Sequence, residues 1–159
     1  MFCMFYSKSC LGKDENLSLE NEQFKCNILD DKSAFNQSIN LLSNNNLIDS
    51  KQCLQDTLIE FPLTKYKVDI FYILGHIALM NNEPEEAIDN FLSSYNEDKI
   101  NFRATMNLFE ISKILFDLTQ DQKACSVLDM IILRKHELII ERSLLKDIND
   151  IYIKKCNLD

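Results

Sequence analysis

The run Phe71-Tyr72-Ile73-Leu74-Gly75-His76, followed by Asn82-Glu83-Pro84-Glu85-Glu86-Ala87-Ile88-Asp89-Asn90-Phe91, carries the pattern that decides the fold. Val68, Phe71, Leu74, Ile77 and Ala78 recur every three or four residues, which predicts a helix over 65–81. Asn82 is an amide able to cap a helix, Pro84 falls in the first turn of whatever follows, and Glu85 places an acid at the positive end of the helix dipole. A second helix is therefore expected from this point to about Asn96. Gly75 in the first helix and Ala87 in the second are small, as two antiparallel helices require where their backbones approach closely.

The same unit recurs on both sides at a shift of 37 residues. Ser38, Gly75 and Ser112 coincide, and so do Ser50, Ala87 and Ala124, all of them small. Aromatic Phe35, Tyr72 and Phe109 fall together, as do the apolar sets Leu41, Ala78, Leu115 and Leu54, Phe91, Leu128. Asn45, Asn82 and Thr119 form a sixth column of residues able to cap a helix N-terminus. Small columns let the helices of a pair meet, and large columns fill the space between neighbouring pairs. A single pair cannot bury its apolar face, so the units must stack.

Apolar spacing places the remaining helices. Residues 31–44 carry Phe35, Ile39, Leu41 and Leu42; residues 46–61 carry Leu47, Leu54, Leu58 and Phe61, with Asp49 and Gln52 as a local cap and Pro62 as the stop. Residues 100–118 carry Phe102, Met106, Phe109 and Leu115, and Thr119 with Gln122 reads as a capping box for a helix over 120–135. Glu137–Cys156 forms one more amphipathic helix, with Leu138, Leu145, Ile148 and Tyr152 on a stripe, and serves as a lid on the last pair. The expected architecture is all-α: a superhelix of three helix pairs (about 31–64, 65–99 and 100–136) with a capping helix over 137–156, in one domain over 31–159. Residues 1–30 match no repeat and are expected to be a partly disordered tail.

Composition narrows the function classes. Hydrophobic residues make up 46% and charged residues 26%, as in a globular chain, and the 2 Gly and 2 Pro are too few for a sheet-rich fold. A net charge of −8 without a basic run argues against nucleic acid. No stretch of 18 apolar residues occurs, so no membrane span is expected. The opening Met1–Lys8 lacks the basic leader of a secretion signal. Cys3, Cys10, Cys26, Cys53, Cys125 and Cys156 form no Cys-x-x-Cys pair, and the 2 His are not at zinc-ligand spacing, so no metal or cofactor is expected. A Gly-rich phosphate loop and a Gly-x-Ser-x-Gly elbow are both missing. His76 has only Asp69, seven residues back, as a partner acid, and His136 sits at a helix end where a cation is favoured. The expectation is a protein that is not an enzyme.

The Phe71–His76 and Glu86–Phe91 motifs resemble the tetratricopeptide signature, with an aromatic, a Leu-Gly pair, then Ala and Phe four apart. The usual period of that repeat is shorter by three residues, which places extra length in linkers such as Leu63–Tyr66. A narrower set of motifs is Leu41-Leu42, Glu60-Phe61-Pro62, Tyr72–Gly75, Ala124-Cys125-Ser126-Val127-Leu128 and Lys155-Cys156. Over about residues 33–157 these are similar to the periplasmic cell division coordinator of the Tol-Pal system, in its alphaproteobacterial form. That family's signal peptide is not visible here, its N-terminal coiled coil is missing or reduced to residues 14–30, and its later linker prolines are absent, with Asn96–Lys99 and Lys135-His136 standing there.

The resemblance implies a periplasmic adaptor linking a Tol-Pal component to a peptidoglycan synthase, so that outer-membrane constriction keeps pace with wall synthesis. The alternative is a cytoplasmic tetratricopeptide adaptor or chaperone-like module; oligomeric state is not fixed by the sequence. In the tetratricopeptide register the concave wall is lined by Phe35, Ile39 and Leu42, by Asp69, Tyr72, His76 and Met80, and by Met106, Phe109, Lys113 and Asp117. A partner's helix or extended segment would lie there, unless the apolar members are simply core. The lid would bring Cys125 and Cys156 together, either as two buried thiols or, in an oxidising periplasm, as a disulfide contributing roughly 3 kcal/mol.

Overall fold

A computed structural model describes residues 24–156, which form seven helices with no strand among the described residues. They are α1 (Asp31–Ser43), α2 (Leu47–Glu60), α3 (Lys67–Met80), α4 (Pro84–Glu97), α5 (Phe102–Asp117), α6 (Asp121–Leu133) and α7 (Arg142–Lys155). Helices pair as α1 with α2, α3 with α4 and α5 with α6, successive pairs stack, and α7 packs on α6. Among the described residues no helix is long and apolar enough to cross a membrane.

The repeat columns occupy equivalent places. Ser50, Ala87 and Ala124 are fully buried, as is Ser38, and the Ser50 hydroxyl donates to the Ser38 carbonyl at 2.9 Å, so the two small columns touch across the first pair. At Gly75 a Cβ would lie only 2.6–2.8 Å from the ring carbons of Phe91, which is itself fully buried. Glycine is thus required because its partner column holds phenylalanine. The first and third pairs combine serine with leucine instead, Ser38 with Leu54 and Ser112 with Leu128, all fully buried.

The Asn45, Asn82, Thr119 column has a role different from the expected N-cap. These residues adopt φ of 59°, 61° and 57°, the left-handed region. Each sits just past the first helix of its pair. Asn46, Glu83 and Gln120 donate backbone N–H groups to the carbonyls of Leu41, Ala78 and Leu115, and Asn45, Asn82 and Thr119 donate to Leu42, Leu79 and Phe116. This is the double bond of a Schellman motif, which satisfies carbonyls at a helix C-terminus. The N-caps lie one residue later. Asn46 accepts from the Asp49 amide and donates its own amide to the Asp49 carboxylate at 2.7 Å, whereas Glu83 and Gln120 make no side-chain cap. The Thr119–Gln122 capping box is therefore absent, and Pro84 stands at the start of α4 as expected.

Two boundaries also differ. The lid begins at Arg142 rather than Glu137, because Leu138 is drawn into the core and Glu141 is extended. Within the stretch read as a tail, Phe24, Cys26 and Ile28 pack against Ala34, Leu41 and Cys53 on the first pair; the rest of that tail lies outside the described residues.

Candidate partner-binding face

The first helices of the pairs, α1, α3 and α5, present the inner face of the stack. Tyr72 and Phe109 are only 9% and 8% exposed and belong to the main core. Phe35 and Leu42 are half-buried against the cluster around Ile70 and Leu74, with Phe35 stacked on Tyr66 at 4.6 Å, and Met106 is half-buried against the core. The aromatic column therefore fills the space between pairs. Ile39, Asp69, His76 and Lys113 on this face are likewise half-buried, with Met80 at 54% exposure and Asp117 exposed.

Between α3 and α5 the polar members are paired. Arg103 Nε donates to Asp69 Oδ1 at 3.0 Å, and the guanidinium lies 4.2 Å from the centroid of the Tyr72 ring. Lys113 pairs with Glu110 at 2.7 Å and lies 5.2 Å from the Phe109 ring. Arg103 is a residue that the reading by register did not single out. Its signal is its place at the start of a repeat's first helix, 34 residues beyond Asp69, a span close to the repeat.

His76 meets Tyr72 edge-on at 4.5 Å and Phe91 at 5.2 Å between centroids. Burial between these rings holds its pKa below the ordinary histidine value; Lys113 and Arg103 push in the same direction and Glu110 opposes them. Burial likewise raises the Tyr72 phenol. Asp69 is committed to Arg103, so it does not orient His76 as an acid–base pair would need. Among the described residues no group of three or more His, Cys, Asp or Glu is placed to hold a metal ion. His136 is exposed in the turn after α6.

Among the described residues four cysteines fall into two bonded pairs. Cys125 and Cys156 join α6 to the end of α7, with Cα atoms 5.6 Å apart, and Tyr152 donates to Asp129 at 2.7 Å across the same junction. Cys26 and Cys53, with Cα atoms 5.1 Å apart, fasten the segment before α1 to α2. This second pair was not anticipated from the sequence. The two bonds close opposite ends of the stack, one fully buried and the other half-buried.

A helical-repeat stack of tetratricopeptide type is the class these features define. A solved tetratricopeptide repeat protein from Parabacteroides merdae superposes with a TM-score of 0.64 at 16% identity, covering 80% of this chain and 47% of that one. The chain thus spans about half the length of that neighbour, and the likeness is one of fold. No protein-family model matches the sequence, and no curated protein matches it.

Proposed function

We propose that the chain is a non-enzymatic adaptor that binds a protein segment along the inner face of α1, α3 and α5. The observation that carries this reading is the strip of accessible side chains there, Ile39, His76, Met80, Lys113 and Asp117, laid over a rigid aromatic floor. Such a face offers an apolar contact beside fixed charges, which suits an extended or helical peptide better than a small molecule.

The finer reading rests on the motifs Ala124-Cys125 and Lys155-Cys156, which resemble the Tol-Pal cell division coordinator. On it, the protein works in the periplasm and ties a Tol-Pal component to a peptidoglycan synthase. On this reading the two cysteine pairs close as disulfides because the compartment is oxidising, whereas a reducing compartment would keep their thiols free. A photo-reactive residue at Met80, with one at exposed Asp89 on α4 as control, tests both levels in cells that make the protein. Adducts with a peptidoglycan synthase or a Tol-Pal component from Met80 alone are the expected result. Adducts with other proteins from Met80 would retain the adaptor and remove the division role, and equal labelling from both positions, or none, would overturn the adaptor.

A further inference from the structure

The connections of the stack divide into two sets at opposite ends. The tight Schellman turns after α1, α3 and α5 lie at one end, and the longer connections after α2, α4 and α6 at the other. Side-chain contacts knit the longer connections into one rim. Lys67 at the start of α3 pairs with Glu97 at the end of α4 at 2.8 Å, Arg103 at the start of α5 pairs with Asp69 near the start of α3, and Arg134 after α6 donates to the Tyr95 hydroxyl on α4.

Two properties coincide on that rim. Large apolar side chains stand out from it: Leu63 is 96% exposed, Leu133 80%, Ile139 65%, Ile100 59% and Phe102 49%. The rim is also basic in an acidic chain. Residues 60–67, 97–103 and 133–142 hold seven Lys or Arg against five Asp or Glu, a net +2 where the whole chain is −8. At the opposite end, residues 44–51, 81–86 and 117–123 hold two against six, a net −4. Lys65, Lys99, Lys135 and Arg142 on the rim have no ion-pair partner among the described residues.

We infer that this rim docks peripherally on an anionic lipid surface, with its exposed apolar side chains entering the headgroup region and the unpaired cations facing lipid phosphates. Separated apolar tips carried on successive connections and the helix ends beside them (Phe102 opens α5 and Leu133 closes α6), rather than a continuous groove, suit a surface that yields at each point of contact, and anionic headgroups complement the local positive charge. The inner face between α3 and α5 stays open in that orientation, so a docked molecule could still hold a partner segment. The inference stands apart from the adaptor reading, because it uses a different surface.

Flotation of the full chain with vesicles tests it. Vesicles of phosphatidylcholine and phosphatidylglycerol in equal amounts should carry the protein upward at low salt, pure phosphatidylcholine vesicles should not, and molar NaCl should release it. The variant L63S/F102S/L133S, whose side chains are exposed and whose helical circular dichroism and melting should stay unchanged, should bind about tenfold more weakly. K65E/K99E/K135E should bind no better than pure phosphatidylcholine permits. No flotation with the anionic vesicles would overturn the inference and leave the rim to an acidic protein partner. Equal flotation on both lipids, or undiminished flotation of the folded apolar variant, would overturn it as well.

Discussion

Replacing Thr119 by Asn should stabilise the protein, because threonine occupies the left-handed position that asparagine fills in the other two repeats. The backbone at 119 has φ of 57°, against 59° at Asn45 and 61° at Asn82. A left-handed backbone costs an L-residue roughly 1–2 kcal/mol, more for a β-branched side chain, while Asn relieves part of that by local hydrogen bonding. The Thr119 side chain is exposed, so little packing is lost. Thr119→Asn should gain about 1 kcal/mol. Thr119→Gly removes the clash fully but frees the unfolded chain by about 0.5–1 kcal/mol, so it should fall between wild type and the Asn variant. In urea, with a slope of about 2 kcal/mol per molar, the midpoint should rise by about 0.5 M for Asn, and the melting temperature by about 2–4 °C. The reciprocal Asn82→Thr should lose about the same amount. If Thr119 instead capped α6, Asn would serve equally well and the midpoint would not move. An unchanged or lowered midpoint would refute the left-handed assignment.

Further outcomes follow from the packing. Gly75→Ser should destabilise by about 1–3 kcal/mol, since the fully buried Phe91 ring leaves no room for a Cβ; the double variant G75S/F91L, which copies the pairing of the first and third repeats, should recover most of that loss in a denaturation cycle. Cys156→Ser opens a cross-link spanning 31 residues and should cost about 3–4 kcal/mol, read as a lower urea midpoint and as faster amide exchange in α7; an unaltered melt would show that the bond does not hold the lid. His76 is held neutral by burial, so below about pH 6.5 the unfolded chain takes up a proton that the native chain resists. Its contribution is complete above that pH and declines as pH falls toward the lowered native pKa, and His76→Gln should flatten the slope of stability below about pH 6.5.

The pairs and their order were legible because periodicity and the small columns are local signals that stacking reinforces. The Asn45, Asn82, Thr119 column was visible, but its role was not. The same side chains favour an N-cap and a left-handed C-terminal residue, and the two positions are adjacent where helices are joined so tightly. Cys26 escaped because it lies outside the repeat and meets Cys53 only through the tertiary fold. The repeat register puts Tyr72 and Phe109 on the inner face, yet they lie in the core, since the offset of one pair against the next decides whether an aromatic there meets solvent or the neighbouring pair. The lid's start shifted because Leu138 gains more from burial than from continuing a helix.

Fractionation of cells that make the protein, alongside markers for each compartment, tests the proposed role most directly. Recovery with the periplasmic contents is the expected result. Strictly cytoplasmic recovery would contradict the division role and leave an intracellular adaptor whose cysteines are reduced.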